Sequence, residues 1–182
     1  DADKTEWLMC EVVKLAWRRK NPKIVQLWAA CAEAFERALE MPGRVFRAGQ
    51  HLQFDQLTHA GIRYIRCRLP SGNFVLYCDP KKSREDGTLT FMGVDPITGQ
   101  WVRRHLYGGK LAQAATQSLA ADILMHNMPA IDKVMPIVLS VHDEIIAEGD
   151  GDTLAEYMAR VPEYLPGFPL SAEGFTAQKY RK

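Results

Sequence analysis

The sequence lacks most features that would place it at a glance. No apolar run approaches the roughly 20 residues of a membrane-spanning helix, so no membrane role is expected. No basic-then-apolar segment opens the chain as a secretory signal would. Four cysteines, Cys10, Cys31, Cys67 and Cys78, occur without any C-x-x-C spacing. That argues against a zinc framework, and all four read as small buried hydrophobes in a reducing compartment. There is no internal repeat and no low-complexity tract. There is also no initiating Met; the chain starts at Asp1, and we expect it to be processed, trimmed or cut from something longer.

What is present is ordinary globular material. The 182 residues are 47% hydrophobic and 25% charged, enough to bury a core in one domain or in one large piece of a bigger protein. The net charge of +1 is small, but it is unevenly spread. Residues 61–110 hold nine Lys/Arg and four Asp/Glu, a net of +5; residues 143–182 hold four and eight, a net of −4. A basic middle beside an acidic end fits a chain that holds polyanion in one place and metal in another.

Apolar spacing predicts a helix over "TEWLMCEVVKLAWRRK", with Trp7, Leu8, Val12, Leu15 and Ala16 on one face and Thr5 as a candidate cap. Asn21 as N-cap and Pro22 at the first helical position open a second helix, which "MPGR" stops. Two hairpins are expected next. In the first, "RYIRCRLPSGNFVLYCD", Ile65, Cys67 and Leu69 alternate with Arg66 and Arg68, and Phe74, Leu76 and Cys78 are expected to continue the apolar face after the turn. The second runs from "TLTFMGV" through "DPITG" to "QWVRRHLY". Gly108 and Gly109 precede a small-residue helix over 110–128, where the two glycines would let backbone approach a phosphate. A hairpin over 137–148 and a helix in "GDTLAEYMARVPEYL" complete an α+β chain.

The hairpin over 137–148 carries the chemistry. Its loop is expected to be Asp143-Glu144, preceded by His142. Two-residue loops favour glycine or asparagine, and adjacent carboxylates repel, so the choice is poor as architecture alone. The plain alternative is a longer solvated acidic loop. Carboxylates at a strand turn suit Mg²⁺, a hard cation that takes oxygen ligands and shares them with phosphates. His142 is a poor ligand for that ion and would instead donate to a phosphate or sugar oxygen. On the preceding helix Lys110, Gln113 and Gln117 fall at spacings of three and four and so share a face. Amide donors there suit the minor groove of a duplex, where acceptors recur regardless of sequence. Two glutamines merely on the surface of a packed helix are the alternative.

The order "LPSGNFVLY", "YGGKLAQAATQSLAADIL", "IVLSVHDEIIAE" resembles the C-terminal part of a family A DNA polymerase, most closely the bacteriophage and prophage branch. "WRRKNPKIVQLW" resembles the fingers segment after the nucleotide-binding helix, and "PLSAEGFTAQKYRK" the C-terminus of that branch. The resemblance implies a helical end of the fingers over 1–60 and a palm over 61–182, with an antiparallel sheet packed on helices. It implies that Asp143 matches the motif C aspartate holding the catalytic Mg²⁺ ions, Glu144 the adjacent, less essential carboxylate, His142 the position near the primer terminus, and Gln117 the glutamine that contacts the duplex. Lys110 fits the branch motif; Gln113-Ala114 stands where the branch usually has Glu-Asn, which puts contacts at Gln113 in doubt. Primer–template DNA, deoxynucleoside triphosphates and the remainder of the polymerase would be the partners, in the cytoplasm of a bacterial or phage-infected cell. The family's second aspartate and its nucleotide-gripping helix have no equivalent here, since Asp79 and Asp95 read as turn residues. The chain alone is therefore expected not to extend a primer, with an open sheet edge where the strand bearing that aspartate would pair. A piece of a longer polymerase and a split-polymerase subunit both fit. A non-catalytic DNA-binding module and a metal-dependent phosphoesterase using Asp143, Glu144 and His142 are the readings of other classes.

Overall fold

A computed structural model describes residues 2–179, with side chains from residue 5 onward. The last three positions of the C-terminal segment singled out above lie outside the described residues. The chain divides into two compact units, residues 1–69 with 74–115 and residues 70–73 with 116–182. Its fold is mixed α+β, with antiparallel sheets packed against helices.

The first unit opens with helices α1 (Ala2–Lys20) and α2 (Pro22–Glu40). Thr5 lies inside α1 and does not cap it. Asn21 stands at the N-cap of α2 with Pro22 following, as the sequence implied, but its side chain caps the other helix: Asn21 Nδ2 donates to Trp17 O at 2.8 Å. On α2, Cys31, Ala34, Phe35 and Ala38 are buried. On α1 the apolar residues are exposed, Trp7, Val12 and Val13 each by more than 60%.

The segment after α2 departs from the helical expectation for 1–60. Strands β1 (Phe46–Ala48) and β2 (Leu52–His59) occupy it, because Phe46, Ala48, Leu52 and Phe54 alternate onto the face that α2 covers. Nor are the two expected hairpins separate. β3 (Ile62–Arg68), β4 (Phe74–Lys82), β5 (Leu89–Val94) and β6 (Trp101–Leu106) continue β1 and β2 into one six-stranded antiparallel meander. The core between α2 and this sheet is built on Phe35, which meets Phe54 and Tyr77 edge-on at centroid distances of 6.4 and 5.4 Å.

The face assignment of β4 also needs correction. Ile65 pairs with Tyr77 and Cys67 with Val75, so Tyr77 and Val75 point to the core. Phe74 and Leu76 pair with Arg68 and Arg66 and lie on the open face, 44% and 55% exposed. Apolar character alone cannot reveal this, because both parities of β4 are apolar. Of the cysteines, Cys31 and Cys67 are buried, Cys78 is half-buried and Cys10 is exposed, against the expectation that all four are buried.

Helix α3 (Gly108–Asp132) extends the expected helix at both ends. Gly108 is required by packing: a Cβ there would stand 1.9 Å from the Trp28 carbonyl oxygen on α2. The close approach that Gly108 permits is that of another helix, whereas a Cβ on Gly109 would meet the Tyr107 ring at 2.8 Å. In the second unit, β7 (Ile137–Val141) and β8 (Glu144–Ala147) form a two-stranded sheet. Their core is Ile131, Met135 and Ile145, joined by Leu124 and Met128 of α3 and by Leu154 and Met158 of α4 (Gly151–Met158). α4 ends seven residues short of the expected stretch; Pro162 removes a backbone donor and restricts Val161 before it.

Candidate functional site

The hairpin β7–β8 falls where the sequence placed it, but its loop is one residue earlier. Val141 pairs with Glu144, so the two-residue loop is His142-Asp143 and Glu144 is the first residue of β8. The loop's positive φ belongs to His142, at 55°. Histidine enters this region more readily than most residues, though glycine is usual at such a position. The strain anticipated for two carboxylates in the loop therefore rests on one histidine. His142, Asp143 and Glu144 are all exposed.

The hairpin is held from one side. Ile145 is buried and Ile137 and Ala147 pack with it on α3 and α4, while Val138 and Leu139 of β7 are 62% and 49% exposed. Two-stranded sheets are marginal unless one face is covered, and here α3 and α4 provide that cover. Asp150 begins α4 by accepting from Thr153 N at 2.8 Å and from Thr153 Oγ1 at 2.9 Å; the backbone N–H bond holds its carboxyl below the usual range. Asn127, buried on α3, donates to Met158 O and Arg160 O at 3.1 and 2.9 Å and so satisfies the end of α4. A cleft of about 460 Å³ lies beside the hairpin, with Asp143, Glu144, Glu148, Glu173 and Lys179 among its lining. The C-terminal segment forms its far wall. Gly151 N donates to Thr176 Oγ1 at 3.1 Å, and the Phe175 backbone lies where a Gly151 Cβ would be.

Lys110, Gln113 and Gln117 all sit on α3, and both glutamines are exposed. Lys110 is already engaged, with Nζ donating to His105 O at 3.2 Å and lying 5.4 Å from the Tyr107 ring centroid. Asp79 and Asp95 are both committed elsewhere. Asp79, at φ 42° in the bulge of β4, pairs with Lys81 and Arg103; burial raises its carboxyl, but these cationic donors outweigh that and leave it lowered. Asp95 accepts from Thr98 N and Ile97 N, which lower it, in the turn between β5 and β6. Among the described residues no group of three or more His, Cys, Asp or Glu side chains is placed to hold a metal ion.

One contact escaped sequence reasoning. Asp122 on α3 accepts from Ser71 Oγ and, at 2.6 Å, from Asn73 Nδ2, both in the turn between β3 and β4. The turn itself was legible, but its partner 49 residues away was not.

The chain is similar to a known protein over most of its length. Over 182 residues the chain is 31% identical to the DNA polymerase of Bacillus phage SP02. The alignment covers 94% of this chain and 27% of that polymerase, so the chain spans about a quarter of the relative's length. No protein-family profile matches the chain, and no solved structure matches it.

Proposed function

We propose that this chain is the C-terminal part of a family A DNA polymerase, DNA-directed and acting by nucleotidyl transfer, comprising the end of the fingers and much of the palm. The observation that carries the reading is the likeness to the phage polymerase over 94% of the chain, together with an exposed carboxylate at the tip of the β7–β8 hairpin. Asp143 has its oxygens free toward solvent, and Glu144 follows it on β8. This oxygen-only donor pair fits part of a Mg²⁺ ligand set. When bound, the ion would acidify a primer hydroxyl and stabilise an anionic leaving group.

The chain's own contribution is positioning. β7 and β8 fix the Asp143 backbone between two paired strands, a firmer base than an open loop. His142, adjacent and exposed, donates to a phosphate or sugar oxygen of the primer. Gln117 and Gln113 present amide donors to acceptors of the duplex minor groove. Lys110 contributes less, because its ammonium is already held by His105 and Tyr107. The exposed Val138 and Leu139 fit a further strand supplied by the remainder of the polymerase, which would also bring the second aspartate. On this reading the isolated chain binds but does not extend.

A chimera tests this. The segment is placed in the phage SP02 polymerase in place of the matching quarter, and primer extension is followed with deoxynucleoside triphosphates and Mg²⁺. An active chimera that loses at least a thousandfold on Asp143→Ala, with its unfolding midpoint unchanged, is expected. Extension by the isolated chain, or an Asp143→Ala chimera as active as its parent, overturns the reading.

A further inference from the structure

The six-stranded sheet has one face on α2 and one face open. The open face is neither neutral nor plainly polar. In one row across it, Arg47 pairs with Gln53, Gln53 with Arg68, and Arg68 with Phe74. The next row carries Asp55, Arg66 and Leu76. Phe74 and Leu76 are exposed, as is Trp101 on β6 by 58%. The Arg66 and Arg68 guanidiniums lie 4.9 and 5.8 Å from the Phe74 ring centroid.

The carboxylates of this face are already neutralised. Asp55 accepts from Arg66 Nε at 2.8 Å and forms an ion pair with its guanidinium. Asp79 is shared by Lys81 and Arg103. Arg47 and Arg68 have no carboxylate partner among the described residues. The face therefore offers net positive charge flanking exposed aromatic rings on a rigid sheet.

We propose that this open sheet face binds single-stranded DNA, with Arg47 and Arg68 on phosphates and Phe74 and Trp101 stacking bases. Neighbouring strands stand about 4.8 Å apart, so six of them present a platform roughly 24 Å wide. Aromatic rings stack on bases without reading sequence, and guanidiniums beside them track the backbone. Duplex DNA fits poorly, because its bases are already stacked and only its phosphates would engage. An apolar protein surface fits poorly as well, because it would strand two guanidiniums without counter-charge. The inference stands on the sheet alone and does not depend on the hairpin reading.

The test is fluorescence anisotropy of the whole chain with labelled oligodeoxythymidylate, across a salt series. Micromolar binding is expected, weakened at least tenfold by Arg47→Ala with Arg68→Ala and by Phe74→Ala with Trp101→Ala. The arginine pair should also flatten the salt dependence by a slope of about 1.4, the value for two single-strand phosphate contacts. Lys23→Ala with Lys133→Ala removes the same charge from exposed positions off the sheet and should change affinity less than twofold. All variants alter exposed side chains, and circular dichroism checks their fold. No binding at low salt, equal binding of duplex, or equal weakening by the lysine pair overturns the proposal. An inactive polymerase chimera leaves the anisotropy result standing, so the two readings fail separately.

Discussion

Gly108→Ala is the substitution whose cost is set most directly by geometry. The first residue of α3 lies against α2 so closely that a Cβ would meet Trp28 O at 1.9 Å, Trp28 C at 2.6 Å and Trp28 Cα at 3.2 Å. Real Cβ atoms essentially never approach a neighbour within 3.0 Å, so roughly an ångström of backbone must move. The obstacle is main chain in the interior of a helix, which cannot rotate aside. Overpacking costs about 1–3 kcal/mol and occasionally more, and a case that displaces backbone belongs at the upper end. At the first helical position alanine returns only part of the roughly 0.5–1 kcal/mol that it gains over glycine in a helix interior. The net expectation is a loss of about 2 kcal/mol or more. Gly109→Ala is the control: its Cβ meets the Tyr107 ring at 2.8 Å, and that side chain is 60% exposed and can turn away. Its net effect should lie within about 0.5 kcal/mol of zero. Urea unfolding followed by tryptophan fluorescence reports both, because Trp17 and Trp28 stack at 5.6 Å beside the contact. If Gly108→Ala unfolds at the wild-type midpoint, the helix contact is not what the glycine serves, and a role in approaching ligand regains its standing.

Asn127→Leu should destabilise the second unit by about 1–2 kcal/mol, because it leaves Met158 O and Arg160 O without their donor in a partly buried place; an unchanged urea midpoint refutes this. Burial raises the Cys31 thiol to about 11, and burial with a smaller effect of Cys31 raises Cys67 to about 12. Folded values above the unfolded one mean a stability contribution that is complete below about pH 8.5 and lost as pH rises toward 11–12, so urea midpoints should fall above pH 9. At pH 8 an aromatic disulfide reagent should label Cys10 at once and Cys31 and Cys67 only after unfolding; fast labelling of Cys67 in the native protein refutes the placement. His142→Gly should relieve about 1–2 kcal/mol of left-handed strain and lose about 0.5–1 to backbone entropy, so stability should rise by no more than about 1.5 kcal/mol. A loss beyond 2 kcal/mol in urea unfolding would show that the imidazole itself holds the hairpin.

What the sequence made legible was periodic or punctuated. Pro22 and Asn21 marked the start of α2, Gly and Pro marked the turns, and alternation placed β3. β1 and β2 were missed because "RVFRAGQHLQFDQLTHAG" follows a helix and carries few β-branched residues; only pairing with β3 reveals it. Joining the hairpins into one meander depends on β2–β3 and β4–β5 pairing, which no local pattern encodes. The face of β4 was ambiguous because Phe74, Val75, Leu76 and Tyr77 are all apolar, and only register against Ile65 and Cys67 decides which pair is buried. For the candidate site, the hairpin itself was legible. The one-residue shift of its loop was not, because only the register of β7 against β8, with Val141 opposite Glu144, decides which two residues turn.

That shift changes how the turn should be understood. With Asp143-Glu144 as the loop, both carboxylates would leave the sheet together and share one position. With His142-Asp143 as the loop, Asp143 projects at the tip while Glu144 is anchored by its pairing with Val141. The two carboxylates are then held differently: Glu144 by a strand, Asp143 by the strand ends on either side of it. The strained residue is the histidine, which shapes the loop in which Asp143 sits. The hairpin is held on one face alone, by Ile145 with Ile137 and Ala147, since Val138 and Leu139 are exposed. An added strand beside β7 would pair its free edge, shield part of Val138 and Leu139, and hold the tip from a second side as well. On the proposed reading, the polypeptide that supplies the second carboxylate would thereby also immobilise the first, and metal binding at the tip would strengthen together with that docking.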